Sequence, residues 1–308
     1  MTWLLVAILG YLFFALASLG DKILLKQTPK PKLYAFYVGF LNILAVFLIP
    51  FVGFQLPSSF NVWCWIILDS IVYLWGLYVL FKVLDKYEVS RIMPMVGAFQ
   101  PIFVFILTWV FWPLGQAALT QADFVGFFLL FLGGIMIILE KNYELTKDSF
   151  LLSSFASLLF SLDFIFLKLV LSSLPFFSGF ILVRVMSAIF ALFLLLDKEV
   201  RKDIFSQPKQ KQKTGPIFIL TQAAGGLATI FQSLAIALVP VAYLAIVNAL
   251  KGLQYIFLFL FTVLFSYYLP SYFKETLSRK ALIQKLSAIF LISLGLVILV
   301  LYGSSPSL

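Results

Sequence analysis

The sequence predicts an all-α integral membrane protein: ten transmembrane helices arranged as two inverted five-helix repeats. Three observations carry this expectation: a composition too apolar to cover a water-facing surface, ten continuous apolar runs, and a five-against-five internal repeat. Of the 308 residues, 63% are hydrophobic and only 11% charged, and the mean hydropathy is +1.08. Globular chains average roughly 45–50% apolar and about 25% charged residues. The solvent around this chain is therefore largely lipid.

The runs cover approximately Trp3–Leu25, Leu33–Phe54, Trp63–Leu84, Ser90–Trp112 and Ala122–Leu139, then Phe150–Leu171, Pro175–Leu196, Pro216–Leu238, Val241–Tyr268 and Ala281–Tyr302. Most have about the 20 residues that span a hydrocarbon core. They are continuously apolar rather than alternating over about ten residues, which speaks for helices and against a barrel. Ala15-Leu16-Ala17 resembles a signal-peptide cleavage site. No basic segment precedes the first run, however, and Lys22, Lys26, Lys30 and Lys32 follow it, so it reads as a retained first helix.

Several chemistries drop out. The chain has no histidine, so it builds neither a Ser-His-Asp triad nor an HExxH zinc site. Cys64 is the single cysteine, which excludes an internal disulfide or CxxC pair. No phosphate-cradling glycine loop is present. The expectation is a non-enzyme with no cofactor and no metal.

The net charge of +9 would ordinarily raise nucleic acid as a partner, but the basic residues alternate by side. They sit in connections 1–2 (Lys26, Lys30, Lys32), 3–4 (Lys82, Lys86, Arg91), 5–6 (Lys141, Lys147), 7–8 (Lys198 to Lys213) and 9–10 (Lys274, Arg279, Lys280). The opposite set lacks Lys and Arg apart from Lys168 near one helix end. Basic loops stay cytoplasmic, so both termini are expected on the non-cytoplasmic face of the plasma membrane. Nucleic acid is then unnecessary. Attraction of the basic loop 197–215 to anionic lipid is the modest alternative.

The two halves, 1–140 and 149–303, echo one another. Asp21-x4-Lys26 matches Asp163-x4-Lys168, Asn42 falls opposite Arg184, Gln100 opposite Gln254, and Gly134 opposite Gly295. Five spans per half is an odd number, so the halves cross in opposite senses. Inverted repeats of this kind mark secondary transporters, with a substrate site near the midplane.

The stretch Phe81-Lys82-Val83-Leu84-Asp85-Lys86-Tyr87-Glu88-Val89-Ser90-Arg91-Ile92-Met93-Pro94, followed by Gln100-Pro101, resembles a segment of the drug/metabolite transporter superfamily, in its EamA-like branch of two five-helix repeats. Gly126 and Gly133-Gly134 resemble that family's closing glycine pattern. The resemblance covers nearly the whole chain and implies movement of small solutes, often export. Two features depart from the family pattern. Pro113-Leu114-Gly115-Gln116 lacks the expected glutamate, for which Glu275 is the counterpart in the second half. The basic loops also put the termini outside, where the family commonly keeps them in the cytoplasm.

Charges deep in a bilayer cost at least about 2.5–3.5 kcal/mol each on insertion scales, so they point to function. Asp69, Asp163, Arg184 and Lys251 lie well inside their runs. Asp163 is roughly 12 Å from its helix end at 1.5 Å per residue, and Arg184 lies at similar depth, so Asp163–Arg184 is the first pair expected. Asn248, Lys251 and Gln254, spaced i, i+3, i+6, share one helical face; with Asp69 and Gln100 they complete the candidate substrate and coupling cavity. For the ion pair the competing reading is a contact that only orders two helices, and for Lys251 a snorkelling side chain. Pro94 and Pro101 make the fourth helix a candidate hinge, and a static kink fits them equally. The function expected is alternating-access transport, as export, of a small solute, with a proton as the coupling ion, lipid around the helices and a homodimer as a further expectation. Flippase-like handling of a lipid-linked molecule and a non-transporting scaffold are the rival readings.

Overall fold

The computed structural model describes residues 2–25, 31–84, 89–112, 119–138, 147–196, 198, 200–202, 215–268 and 279–302. The described chain is helical, and no strand occurs among these residues. The helices are α1 (Thr2–Leu25), α2 (Pro31–Leu41), α3 (Phe60–Leu84), α4 (Val89–Phe111), α5 (Gln121–Ile138), α6 (Lys147–Ser173), α7 (Phe176–Leu192), α8 (Gly215–Leu238), α9 (Leu244–Ala249), α10 (Lys251–Tyr268) and α11 (Arg279–Tyr302). Among the described residues, seven helical stretches are long and apolar enough to cross a membrane, and three shorter apolar helices accompany them. Leu5, Phe47, Phe51, Leu196, Leu220 and Leu301 stand exposed. In water such a surface would drive aggregation; in lipid it is the natural exterior. The protein is an all-α, multi-pass membrane protein.

Two runs depart from the continuous helices expected. The second is α-helical only to Leu41 and continues as a 3-10 segment, Asn42–Phe51, which holds Pro50 and gives way to extended backbone at Val52. Proline brings no N–H to the ladder and crowds the preceding turn, so the helix ends there. The ninth run is broken in three. After Pro240 come a 3-10 turn at Val241–Tyr243, then α9, a turn at Leu250, and α10. At the break the Leu253 N–H reaches back only three residues, to the Leu250 carbonyl (2.8 Å).

The chain forms two compact units. One takes Met1–Thr28, Val104–Glu144 and Lys213–Leu308, and the other takes Pro29–Phe103 and Leu145–Gln212. Each draws on both sequence halves. In the first unit α1 packs along α8, α5 along α11, and α10 against α1 and α5; in the second α3 packs along α6 and α7, and α7 along the Asn42–Phe51 segment.

Apolar burial cannot drive helices together in lipid, so close van der Waals contact does, and small residues permit it. A Cβ at Gly133 would sit 2.6 Å from Ile292 Cγ1 and 3.0 Å from the Ala288 carbonyl, and one at Gly126 would sit 2.5 Å from Leu299 Cγ. Both glycines thus let α5 lie against α11. Gly226 has nothing within 4 Å of its would-be Cβ. A Gly133→Val variant should therefore lose about 1–3 kcal/mol by overpacking, whereas Gly226→Ala should keep or slightly raise stability. Thermal unfolding in detergent checks this, and equal melting of the two variants would refute the packing argument.

Candidate functional site

The second unit gathers three of the predicted charged residues. Trp65 of α3 stacks on Phe166 of α6 with ring centroids 5.8 Å apart, and a Cβ at Gly76 would lie 3.1 Å from the Phe160 ring. Residue numbers rise along one helix as they fall along the other, so α3 and α6 run antiparallel, with Asp69 level with Asp163. The two carboxylates act electrostatically on one another, and both act on Arg184 of α7. The guanidinium carbon lies 5.4 Å from the Tyr73 ring centroid and 5.6 Å from that of Phe180, within cation–π range. Tyr73 is one turn beyond Asp69 on the same face of α3 and meets the side chain of Asn42. Ser70 Oγ donates to the Ile66 carbonyl (2.8 Å) and the Val183 carbonyl (3.3 Å), which fastens α3 to α7 beside Arg184.

Satisfaction in this cluster is incomplete. Asp69 is 0% exposed. Both its carboxylate oxygens, Oδ1 of Asp163, Nε of Arg184 and Nδ2 of Asn42 are buried without a hydrogen-bond partner. The expected Asp163–Arg184 partnership is therefore one of proximity. With Oδ1 of Asp163 unpartnered, the two-point fork that guanidinium and carboxylate favour is not formed.

The first unit holds Asn248, Lys251 and Gln254. A turn at Leu250, whose backbone stays right-handed helical, stands between Asn248 on α9 and the other two on α10. Lys251 and Tyr255 are one turn apart on α10, while Gln254 turns to α1 and donates to Ser18 Oγ (3.1 Å). Asn248 is 1% exposed, and its Oδ1 and the Tyr255 hydroxyl have no hydrogen-bond partner. The Tyr11 hydroxyl of α1 donates to the Val247 carbonyl (2.8 Å) next to the break and meets the Gln232 side chain of α8.

The predicted cavity residues thus sort into two sets. Asp69, Asp163, Arg184 and Gln100 belong to one unit, and Asn248, Lys251 and Gln254 to the other. Gln100 is buried, and its backbone carbonyl accepts from Ser161 Oγ (3.2 Å), as that of Val96 does from Ser157 Oγ (3.1 Å). These α6 serines bracket Gly97, whose carbonyl loses its helical donor to Pro101; α4 itself continues through both Pro94 and Pro101. Sequence reasoning passed over Tyr11, Tyr73 and Tyr255. The available signal was a phenol in mid-run, which must find a partner there. Residues 85–88 and 113–118, Lys26, Glu275 and most of the basic loop 197–215 lie outside the described residues, as do the side chains of Asp21 and Lys22.

No protein-family model matches this chain, and no curated protein matches it. Among solved structures, a crystal structure described only as that of a protein is similar in fold. It is 15% identical with a TM-score of 0.65, and the match covers 96% of this chain and 93% of the other. At that identity the likeness concerns the fold alone.

Tyr11→Phe deprives the Val247 carbonyl of a donor and should cost about 0.6 kcal/mol, the average for hydrogen bonds between membrane helices, and at most about 1.7 kcal/mol. Asp69→Asn removes a buried carboxylate that accepts no hydrogen bond, so the same melting assay should show no loss. Substantial destabilisation by Asp69→Asn would mean that the carboxylate is an ordinary structural anchor.

Proposed function

We propose that the protein is a secondary transporter that moves a small polar solute across the plasma membrane by alternating access. The observation that carries this reading is the group of intramembrane ionisable side chains in the second unit. Asp69, Asp163 and Arg184 stand close together, largely buried and without the hydrogen bonds a static brace would show. Ionisable residues inside a membrane cost several kcal/mol, and incomplete pairing suits groups that exchange partners with a solute or an ion. The broken ninth span adds support, because interrupted helices supply polar groups in transporter sites.

An inverted repeat is part of the proposal. Such a repeat matches the first span with the sixth and the third with the eighth, and the α1–α8 packing of one unit and the α3–α6 packing of the other are both extensive. The order of the matched residues in the two halves and the resemblance to EamA-like transporters point the same way. In this reading both termini face outward, the direction is export, and Asp163 takes part in coupling.

Thermal stability of the purified protein against amino acids, nucleosides, sugars, organic anions and cationic drugs tests the proposal. A specific ligand at about 100 times its Kd should add about 2.7 kcal/mol, and the shift should vanish in Arg184→Ala. The same compound should then move into vesicles under a pH gradient, and Asp163→Asn should abolish that flux. No shift with any soluble class would overturn solute transport and favour a lipid-linked substrate.

A further inference from the structure

We propose that Asp69 and Asp163 share a single resident proton, held opposite Arg184, and that this proton is the exchangeable ligand of the second unit. The inference rests on geometry and on a count of charges. It uses the transport reading only to name the proton as the coupling ion.

The antiparallel register of α3 and α6, set by Trp65 on Phe166 and by Gly76 beside Phe160, places the two carboxyl groups level with one another. Every packed element contributes to the count. On α3 the groups facing this site are Asp69 and Tyr73; α6 brings Asp163, α7 brings Arg184, and the 3-10 segment brings Asn42, which does not titrate. Lys168, five residues beyond Asp163, lies off that face of α6. The described side chains of α4 in this unit, Ile92 and residues 95–103, include nothing that titrates. Tyr37 of α2 stands exposed.

The guanidinium keeps its charge in proteins. Among the described side chains, two ionised carboxylates against it would leave one uncompensated negative charge, with Asp69 wholly buried and neither of its oxygens accepting a hydrogen bond. A bare carboxylate in such surroundings neutralises rather than remain charged. One proton cancels the excess; two would leave the guanidinium without a counter-charge. Because the carboxyl groups interact, the proton belongs to the pair and not to either residue. On release it passes to water, leaving the cluster one charge more negative until a proton returns.

Infrared difference spectroscopy of the purified full-length protein at neutral pH, in light and heavy water, tests this without any solute. The wild type should show the deuterium-sensitive carbonyl stretch of one protonated carboxylic acid. Asp69→Asn and Asp163→Asn should each lose it, since the remaining carboxylate and Arg184 already balance. Arg184→Gln should double its area, because both carboxyl groups then need protons. Absence of the band from the wild type, its persistence in both Asn variants, or its loss when sodium replaces choline in the buffer would each overturn the proposal; the last would assign the positive charge to a metal cation. A correct set of bands in a protein that binds no solute would leave the proton site standing while the transport reading fell.

Discussion

Hydrocarbon offers no hydrogen bonds, so each polar group on a membrane helix must find its partner within the protein or bear the full cost of having none. Most of the specific contacts here answer that constraint. Ser18, Ser70, Ser161, Ser173, Ser187 and Thr108 each return a hydroxyl to the carbonyl four residues back on their own helix. Thr120 and Asp123 bond reciprocally at the start of α5, and Asp123 also accepts from the Tyr243 hydroxyl at 3.0 Å. Tyr11 serves the carbonyl of Val247, beside the turn at Leu250. Against this background of satisfied groups, Asp69, Asp163 and Arg184 are conspicuous. They tie up dispersed polar capacity in one place and leave part of it unused.

The same solvent shapes the packing. Since lipid tails are as apolar as leucine, helices gain by approaching closely rather than by hiding greasy faces. The α5–α11 pair shows the device at Gly126, Gly133 and Gly295, and Gly252 approaches Gly134 of α5 in the same way. Aromatic rings fill the wider gaps, as where Phe13 of α1 stacks on Phe231 of α8 at 5.6 Å. Rigid, closely packed helix pairs hold the polar side chains at fixed heights, which sets Asp69 level with Asp163.

Much of this could be read from the residues. The ten apolar runs correspond to helical segments whose ends differ from expectation by a few residues, because a run ends where polar residues or proline begin. Asp69, Asp163, Arg184 and Lys251 were legible as intramembrane charges for the same reason. What could not be read was the partner of each. Arg184 was matched with Asp163 by depth, but depth along an axis says nothing of rotation about it. The structure turns Arg184 toward Tyr73 and Phe180 as well. The face drawn through Asn248, Lys251 and Gln254 assumed an unbroken helix. The structure puts a turn at Leu250 between Asn248 and Lys251, and Gln254 donates to Ser18 of α1.

By itself the sequence determined the solvent, the helical class, the approximate helical segments and the presence of buried charge, since each follows from local composition and the free energy of transferring a residue into lipid. Tertiary structure decided which helices pair, that the compact units cut across the two sequence halves, and that two acids and one base meet with several of their polar atoms lacking a hydrogen-bond partner. Those outcomes depend on rotation and register between segments far apart in the chain. They are fixed by close contacts such as Gly76 against Phe160 and Gly133 against Ile292, which no local pattern of residues encodes.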